Sequence, residues 1–414
     1  MQNISGKHIA IVGTMDTKEA EARYLSKHIK KRRHRPILID VGPLTGSDVQ
    51  IDYSNRNVAW YGGWNLKKLV ETGQRDQIMS TMGKGAASVL IQLLKKNELD
   101  GVIGIGGNQG SAMAAMAMQG LPIGFPKFLV STVASGNIRP YVGHTDIGVM
   151  FSVADLVGGP NFVSRSILSN AVSALMGMVE HGERISLKKN EKSVALSALG
   201  NTEKAADRIN RVLRGKGFQV ITFHASGAGG TAMEELIENG YFTGVIDLTP
   251  HELIEEVVGL GAYVPVKPGR MTAAAKSGIP QIVSTGGLEY LCFGPKHTIP
   301  PKLKNRKTYF HNPYNANVKA SRSEMEIVGK VMAERLNAAK GPAKILVPLR
   351  GWSIYGSRGG PLYDPQGNGI LIRSLKKHLS KNVRLEEIDA HINDPEFADI
   401  CIENLINLLD GERK

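Results

Sequence analysis

Cysteine is nearly absent. Cys292 and Cys401 are the two in 414 residues, far apart and set among core-like neighbours. That excludes a disulfide framework and every paired-cysteine zinc motif, and makes a reducing cytoplasm the expected setting. Apolar runs are short: none reaches the roughly 18 residues of a membrane span, and residues 1–7 (MQNISGK) are polar, so neither a span nor an export signal is expected. Aromatic residues make up 6% and do not interleave with the basic ones, so no stacking platform for nucleic acid is read. Also missing are a Walker sequence ending in Gly-Lys-Ser/Thr, a Ser-His-Asp elbow and a His-Glu-x-x-His helix. Conventional P-loop ATPases and the familiar hydrolase and zinc chemistries lose support with them.

What is present is a globular composition, 42% hydrophobic and 21% charged, at a length that suits two to three domains of roughly 150 residues each. Glycine is in excess, 47 residues, without a triplet period, which places it in loops and turns. Lys and Arg exceed Asp and Glu by 51 to 38, a net charge of +13, so phosphate-bearing partners are attracted. The densest basic run, residues 27–35 (KHIKKRRHR), closes an expected helix, where basic side chains complement the negative end of the helix dipole. It reads as a solvated helix end rather than a nucleic-acid stripe.

Short apolar runs alternate with longer amphipathic segments, the pattern of crossover units in a parallel sheet. Strands are expected at 8–12, 36–41, 101–105 and 127–131, with helices at 17–31, 78–96, 111–118 and 161–180. Residues 42–77, with Trp60 and Trp64, fit no element. A polar stretch at 181–192 (HGERISLKKNEK) marks a boundary between domains at 1–185 and 193–414. The second half repeats the rhythm, with strands at 194–199, 219–223, 244–247, 281–284, 344–348 and 383–387 and helices at 203–214, 250–258, 323–338, 369–379 and 396–409. The expected fold class is α/β, two Rossmann-like domains with mostly parallel sheets.

In such sheets ligands sit beyond the carboxyl ends of the strands, where helix N-termini present unpaired amides. Four loops of the first half are assigned there: GTMDTK (Gly13, Thr14, Asp16, Thr17, Lys18), GGNQGS (Gly106, Gly107, Asn108, Gly110, Ser111), STVASGN (Ser131, Thr132, Ala134, Ser135, Gly136) and YVGHTD, which ends in Asp146. Glycines and small hydroxyl residues let main-chain amides approach an anion. Asp16 is suited to Mg²⁺ or a ribose hydroxyl and Lys18 to phosphate, or else Asp16 or Thr17 simply caps the following helix. In the second half, HASGAGGT (224–231) carries Gly227 and Gly229 in a Gly-x-Gly-x-x-Ala pattern, with Gly230 and Thr231 beside them and Asp247 twenty residues after Gly227, where a ribose hydroxyl would be met. His224, Asp247, Arg270 and His311 are the candidate catalytic residues, and Asn312 joins the glycine loop as a candidate substrate contact.

The stretches GTMDTKEAEARYL, DGVIGIGGNQGS, LPIGFPKFLVSTVASGNIRPYVGHTDIGVMFSV, HASGAGGTAMEELIENGYFTGVIDLT, FHNP and HINDPEFA resemble the Tm-one-like ATP-binding family. That family includes the inhibitory domain of the tomato mosaic virus resistance protein and uncharacterised bacterial and fungal proteins. The resemblance implies two Rossmann-like subdomains, ATP binding with nucleotide contacts on GTMDTK, GGNQGS and STVASG, self-association, and in the plant member inhibition of viral RNA replication through a viral replication protein. The family's glycine loop more usually reads GGSGGT, where Asn108 and Gln109 stand here.

The expected function is therefore ATP binding, with Mg²⁺, by an α/β protein acting as an enzyme on a small anionic substrate in a cleft between the halves, in a homodimer with no membrane or specific nucleic-acid partner. Two alternatives stay open: a non-catalytic interaction protein whose bound nucleotide orders a partner-binding surface, and a carbon-metabolism enzyme acting on a sugar acid or keto acid.

Overall fold

The computed structural model describes residues 6–44, 50–187 and 191–411. The chain forms two compact units, Met1–Ile185 and Ser186–Lys414, both α/β with parallel main sheets.

Unit 1 runs β1 (His8–Gly13), α1 (Met15–Lys31), β2 (Arg35–Asp40), α2 (Asn55–Tyr61), α3 (Leu66–Glu71), α4 (Arg75–Lys95), β3 (Gly101–Gly106), α5 (Asn108–Gln119), β4 (Lys127–Ser131), α6 (Arg139–Val142), β5 (Gly148–Phe151) and α7 (Phe162–His181). Its five strands lie in the order β2-β1-β3-β4-β5, all parallel. The strands read as continuous apolar runs because both faces are covered. Ala10, Val12, Ile37, Ile39 and Val102 pack under α2, α4 and α5, while the alternate residues Ile9, Ile11, Leu38 and Ile103 pack under α1 and α7, which is the two-residue period of a strand. Helix α7 is long and apolar enough to cross a membrane, yet its Leu168, Ala171, Val172 and Leu175 are buried in this core.

Unit 2 runs β6 (Ser193–Ala198), α8 (Glu203–Gly215), β7 (Gln219–His224), α9 (Ala228–Glu238), β8 (Gly244–Asp247), α10 (Glu252–Val258), α11 (Ala273–Ser277), β9 (Gln281–Val283), β10 (Tyr290–Phe293), β11 (Thr308–Asn312), β12 (Asn315–Lys319), α12 (Arg322–Asn337), β13 (Ala343–Pro348), α13 (Pro365–His378), β14 (Arg384–Ile388) and α14 (Pro395–Gly411). Six parallel strands stand in the order β14-β13-β9-β8-β6-β7, and β10-β12-β11 form a separate antiparallel sheet that the sequence pattern does not predict.

The unplaced stretch of unit 1 proves structured where it is described. Tyr53 bridges to Ile39 beside β2, and α2 and α3 follow; residues 45–49 lie outside the described chain. Helix α2 meets α4 backbone to backbone. A methyl on Gly85 would collide with the Val58 carbonyl, and one on Gly62 with the Thr81 carbonyl. This contact seats Asn55, whose side-chain amide donates to the carbonyls of Gly42 and Leu44 at 3.0 and 2.8 Å and so holds the chain that leaves β2. Gly85→Ala should destabilise unit 1 by about 1–3 kcal/mol through overpacking, despite a helix-propensity gain of about 1 kcal/mol. A drop in the urea midpoint would register it, and an unchanged or raised midpoint would refute the close packing.

Candidate functional site

The chain leaves β1 for β2 on one side and returns to β3 on the other, so the carboxyl ends of β1 and β3 flank the switch point where open α/β sheets take ligands. Three of the loops meet there. A methyl built on Gly110 would lie 3.6 Å from Thr14 Oγ1, and one on Gly107 3.7 Å from Thr132 Oγ1. Helix α5 starts at this point with Gly107 as N-cap and no side-chain cap. Ser111 N–H bonds to the Gly107 carbonyl at 2.8 Å, and the amides of Asn108, Gln109 and Gly110 have no acceptor among the described residues. Open amides at a helix start carry partial positive charge.

Each loop residue has a distinct part in this arrangement. Gly13 and Gly106 are packing glycines: a methyl on the first would press Ile105 at 2.9 Å, one on the second the Gly110–Ser111 peptide at 2.5 Å. Ser111 and Ser131 are fully buried and bond to each other at 2.7 Å, with Ser111 also on the Gly106 carbonyl. They tie the first turn of α5 to the ends of β3 and β4, so both are structural residues rather than the ligand contacts expected from the sequence. Thr14 and Thr17 share a hydroxyl bond of 2.9 Å; Thr14 is the N-cap residue of α1, but its side chain makes no capping bond. Thr132 and Ala134 are half-buried, whereas Ser135, Gly136, Asn108 and Gln109 are exposed.

Lys18 stands on the core-facing stripe of α1 with Met15, Ala22 and Leu25, only 8% exposed. Among the described residues its ammonium has no partner. Its backbone is non-helical (φ −124°, ψ 19°), a kink in the first turn of α1, just beyond the carboxyl end of β1. Asp16 lies against Gly42, where a methyl would come within 2.9 Å of its carboxyl carbon; its Oδ2 accepts from Leu44 N–H at 3.4 Å, and its Oδ1 is buried without a partner. Asp40, one strand over, accepts the amides of Met15 and Gly42 at 3.0 and 2.8 Å. Burial raises its carboxyl to about 6, partly offset by those two amides and reinforced by neighbouring Asp16.

Asp146 does not join this site. Its loop leads into β5 rather than out of β4, and in a parallel sheet every strand entrance lies on the opposite edge. There Asp146 pairs with Lys127, the first residue of β4, at 2.7 Å and accepts Gly124 N–H at 2.9 Å.

In unit 2 the glycine loop looks like a phosphate cradle in sequence and is closed in space. Glu252 Oε1 accepts the amides of both Gly227 and Gly230, at 2.6 and 2.9 Å, so an internal carboxylate takes the place an external anion would occupy. Gly229 packs on the His224 carbonyl, and Thr231 Oγ1 donates to the Gly227 carbonyl at 2.8 Å while accepting Val266 N–H at 3.1 Å. Arg270 and Asp247 are sealed in the same network. Arg270, 1% exposed, donates to Glu252, Glu234 and both oxygens of Asp247 at 2.6–3.0 Å. Burial disfavours its charge, but Asp247, Glu252 and Glu234 outweigh that and hold it firmly ionised. Neither residue reaches a substrate, and Asp247 is not open to a ribose. Removing one member of such a buried network costs about 3–5 kcal/mol, because an uncompensated charge is left inside.

His224 and His311 stay exposed at two sides of an aromatic cluster that the sequence reading missed. His224 stacks edge-on to Tyr263 at 6.5 Å, and His311 Nδ1 lies 3.3 Å from Tyr355 Oη. Asn312 sits at the exposed end of β11, accepting Tyr314 N–H. Between them are buried Tyr290, His251, Glu255, Glu289 and Cys292. His251 Nδ1 is 2.6 Å from the Gly287 carbonyl and its Nε2 3.2 Å from Glu255 Oε1, which also accepts Cys292 N–H at 2.6 Å. Tyr290 Oη accepts from Asn201 Nδ2, and Ser353 Oγ donates to Glu289. Burial pushes Tyr290 and Cys292 upward and Lys319 downward. The available signal was the i, i+4 spacing of His251 and Glu255; nothing in YLCF distinguishes Cys292 from a core residue.

The Asp40 shift carries a stability consequence. The folded carboxyl binds its proton more tightly than the unfolded one, whose value is 3.8. Stability therefore falls as pH rises from about 4 to about 6, and a deficit of about 3 kcal/mol persists above that range. Asp40→Asn keeps the acceptor oxygen for Met15 and Gly42. It should raise the stability of unit 1 by about 1–3 kcal/mol at pH 8 and leave it unchanged at pH 4. Urea unfolding at the two pH values checks this, and a variant less stable than the parent at pH 8 contradicts it.

Comparison with known proteins assigns both units. The uncharacterised protein family (UPF0261) N-terminal domain matches residues 7–184 and the UPF0261 C-terminal domain residues 191–409. A UPF0261 protein of Clostridium tetani is 38% identical over 405 residues, covering 98% of this chain and 99% of its own. The ToMV resistance protein Tm-1(GCR237) of Solanum lycopersicum is 31% identical over 424 residues, covering 97% of this chain and 56% of the tomato protein, in line with the resemblance carried by the loops. Among solved structures, the Escherichia coli ADP-heptose LPS heptosyltransferase II aligns over 99% of this chain and 100% of that one at 12% identity, with a TM-score of 0.21, too low to support any inference. Through both its N-terminal and its C-terminal domain, this chain belongs to the uncharacterised protein family UPF0261.

Proposed function

We propose that unit 1 binds the phosphates of a nucleotide, ATP with Mg²⁺, at the switch point between β1 and β3. The observation that carries this reading is the uncapped start of α5, with the amides of Asn108, Gln109 and Gly110 unpaired between Thr14 and Thr132. An anion there accepts amide hydrogens and is stabilised by the helix dipole. Lys18, buried and without a partner, supplies the neutralising charge. Asp16 Oδ1, buried and unsatisfied, fits the oxygen donor that Mg²⁺ prefers; when bound, the ion neutralises phosphate charge beside it. The choice of ATP among phosphate compounds rests on the family resemblance. The ionisable cluster of unit 2 favours an enzyme over a passive binding module, because buried titratable groups with shifted pKa values gather at functional sites more often than elsewhere. The antiviral role in the tomato protein's name is not carried over, since this chain spans only 56% of that protein.

Gly107→Ala provides the test. Gly107 has φ −80°, which alanine adopts freely, and its added methyl would meet only Thr132 Oγ1, at 3.7 Å. The fold should tolerate the change while the methyl crowds the anion. Calorimetric titration should show Mg·ATP binding to the parent chain and at least about tenfold weaker binding to the variant, a loss of about 1.4 kcal/mol. Absence of heat and of thermal stabilisation at millimolar nucleotide in the parent would overturn the assignment.

A further inference from the structure

His251, Glu255 and Cys292 turn their ligating atoms toward one point in unit 2. The imidazole nitrogen, a carboxylate oxygen and the thiol sulfur all lie within 4.8 Å of one another, with all three residues buried. We infer that this triangle binds a borderline divalent cation, zinc or a close chemical relative, a site independent of the nucleotide site proposed for unit 1.

The hydrogen bonding leaves a place for positive charge. His251 Nδ1 faces the Gly287 carbonyl at 2.6 Å. A carbonyl only accepts, so Nδ1 carries a hydrogen, and whenever the ring is neutral Nε2 presents its lone pair. That lone pair points at Glu255 Oε1, a second acceptor, at 3.2 Å. Two acceptors facing each other away from water require a cation or a proton between them. The thiol of Cys292 beside them favours a metal: nitrogen, oxygen and sulfur together form the ligand set of zinc-type ions and are poorly suited to calcium or magnesium. Ligands about 2.0–2.1 Å from a tetrahedral centre lie about 3.3 Å apart, close to the observed Nε2–Oε1 separation.

The surroundings orient the donors as a metal site requires. His251 and Glu255 are one turn apart at the start of α10, which places both on one face. The second Glu255 oxygen is fixed by Tyr263 N–H, and the Cys292 thiol donates to Asn317 Oδ1 at 3.3 Å, a hydrogen that metal binding would release. Gly287, at φ +71°, comes close enough to His251 that a methyl there would press its Cβ and Nδ1 at 3.1 and 3.2 Å, so only glycine permits this carbonyl approach. Three protein donors leave a fourth position for water or a substrate oxygen, the arrangement of catalytic rather than structural zinc.

The test uses the full chain, stripped with chelator and titrated with Co²⁺, then competed with Zn²⁺. One equivalent should bind with a thiolate-to-cobalt absorption band. The band should survive Cys401→Ser and disappear in Cys292→Ser, whose affinity should fall by at least roughly 100-fold, more than the loss typical of a residue that only orients a ligand. X-ray absorption of the zinc-loaded parent needs no variant and should show one sulfur among nitrogen or oxygen neighbours. No tight equivalent, a band that persists in Cys292→Ser, or a zinc shell without sulfur would each overturn the site; a proton shared by His251 and Glu255 would then explain the geometry.

Discussion

Backbone amides at a helix start must find an acceptor, and the two units meet this requirement in opposite ways. In unit 2 the chain supplies its own anion: Glu252 reaches the amides of Gly227 and Gly230 and draws Arg270, Asp247 and Glu234 into a sealed network. In unit 1, among the described residues, no side chain accepts the amides at the start of α5. The same motif of glycines between strand and helix is a filled structural joint in one place and an open polar edge in the other.

The cost of burying charge organises much of the rest. Arg270 is tolerated because three carboxylates surround it, and those carboxylates are tolerated because of Arg270. Once closed, the network holds α9, α10 and the loop before α11 around the end of β8, and that framework also positions His251 and Glu255 on α10 opposite Cys292 of β10. The aromatic rings of Tyr263, Tyr290 and Tyr355 form a chain of ring contacts between buried His251 and the exposed His224 and His311. In unit 1 the comparable tension is milder. Asp40 is half-neutralised by burial near pH 6, beside an Asp16 whose Oδ1 has no partner.

Much of the fold was legible along the chain. The runs HIAIV, GVIGIG and SVALSA are apolar throughout because parallel strands are covered on both faces, and the intervening amphipathic segments became α1, α4, α8 and α14. The antiparallel sheet was not legible: its hairpin turns through Pro313 and Tyr314 without an Asn-Gly signal, and strand β11 is half exposed, which blurs its alternation. Helices α2 and α3 escaped because they are short and owe their stability to packing on α4 rather than to local pattern.

Periodicity and composition by themselves determined the α/β class and which loops leave the strands, because burial on both faces and on one helical stripe imprints a pattern on every local window. They could not tell a strand exit from a strand entrance around Asp146, nor a cradle awaiting an anion from one already filled by Glu252. Only tertiary structure decides such questions, since the residue that fills the Gly227 loop lies 25 positions away, and a hydrogen bond across that distance depends on how the elements pack and leaves no trace in the spacing of the motif.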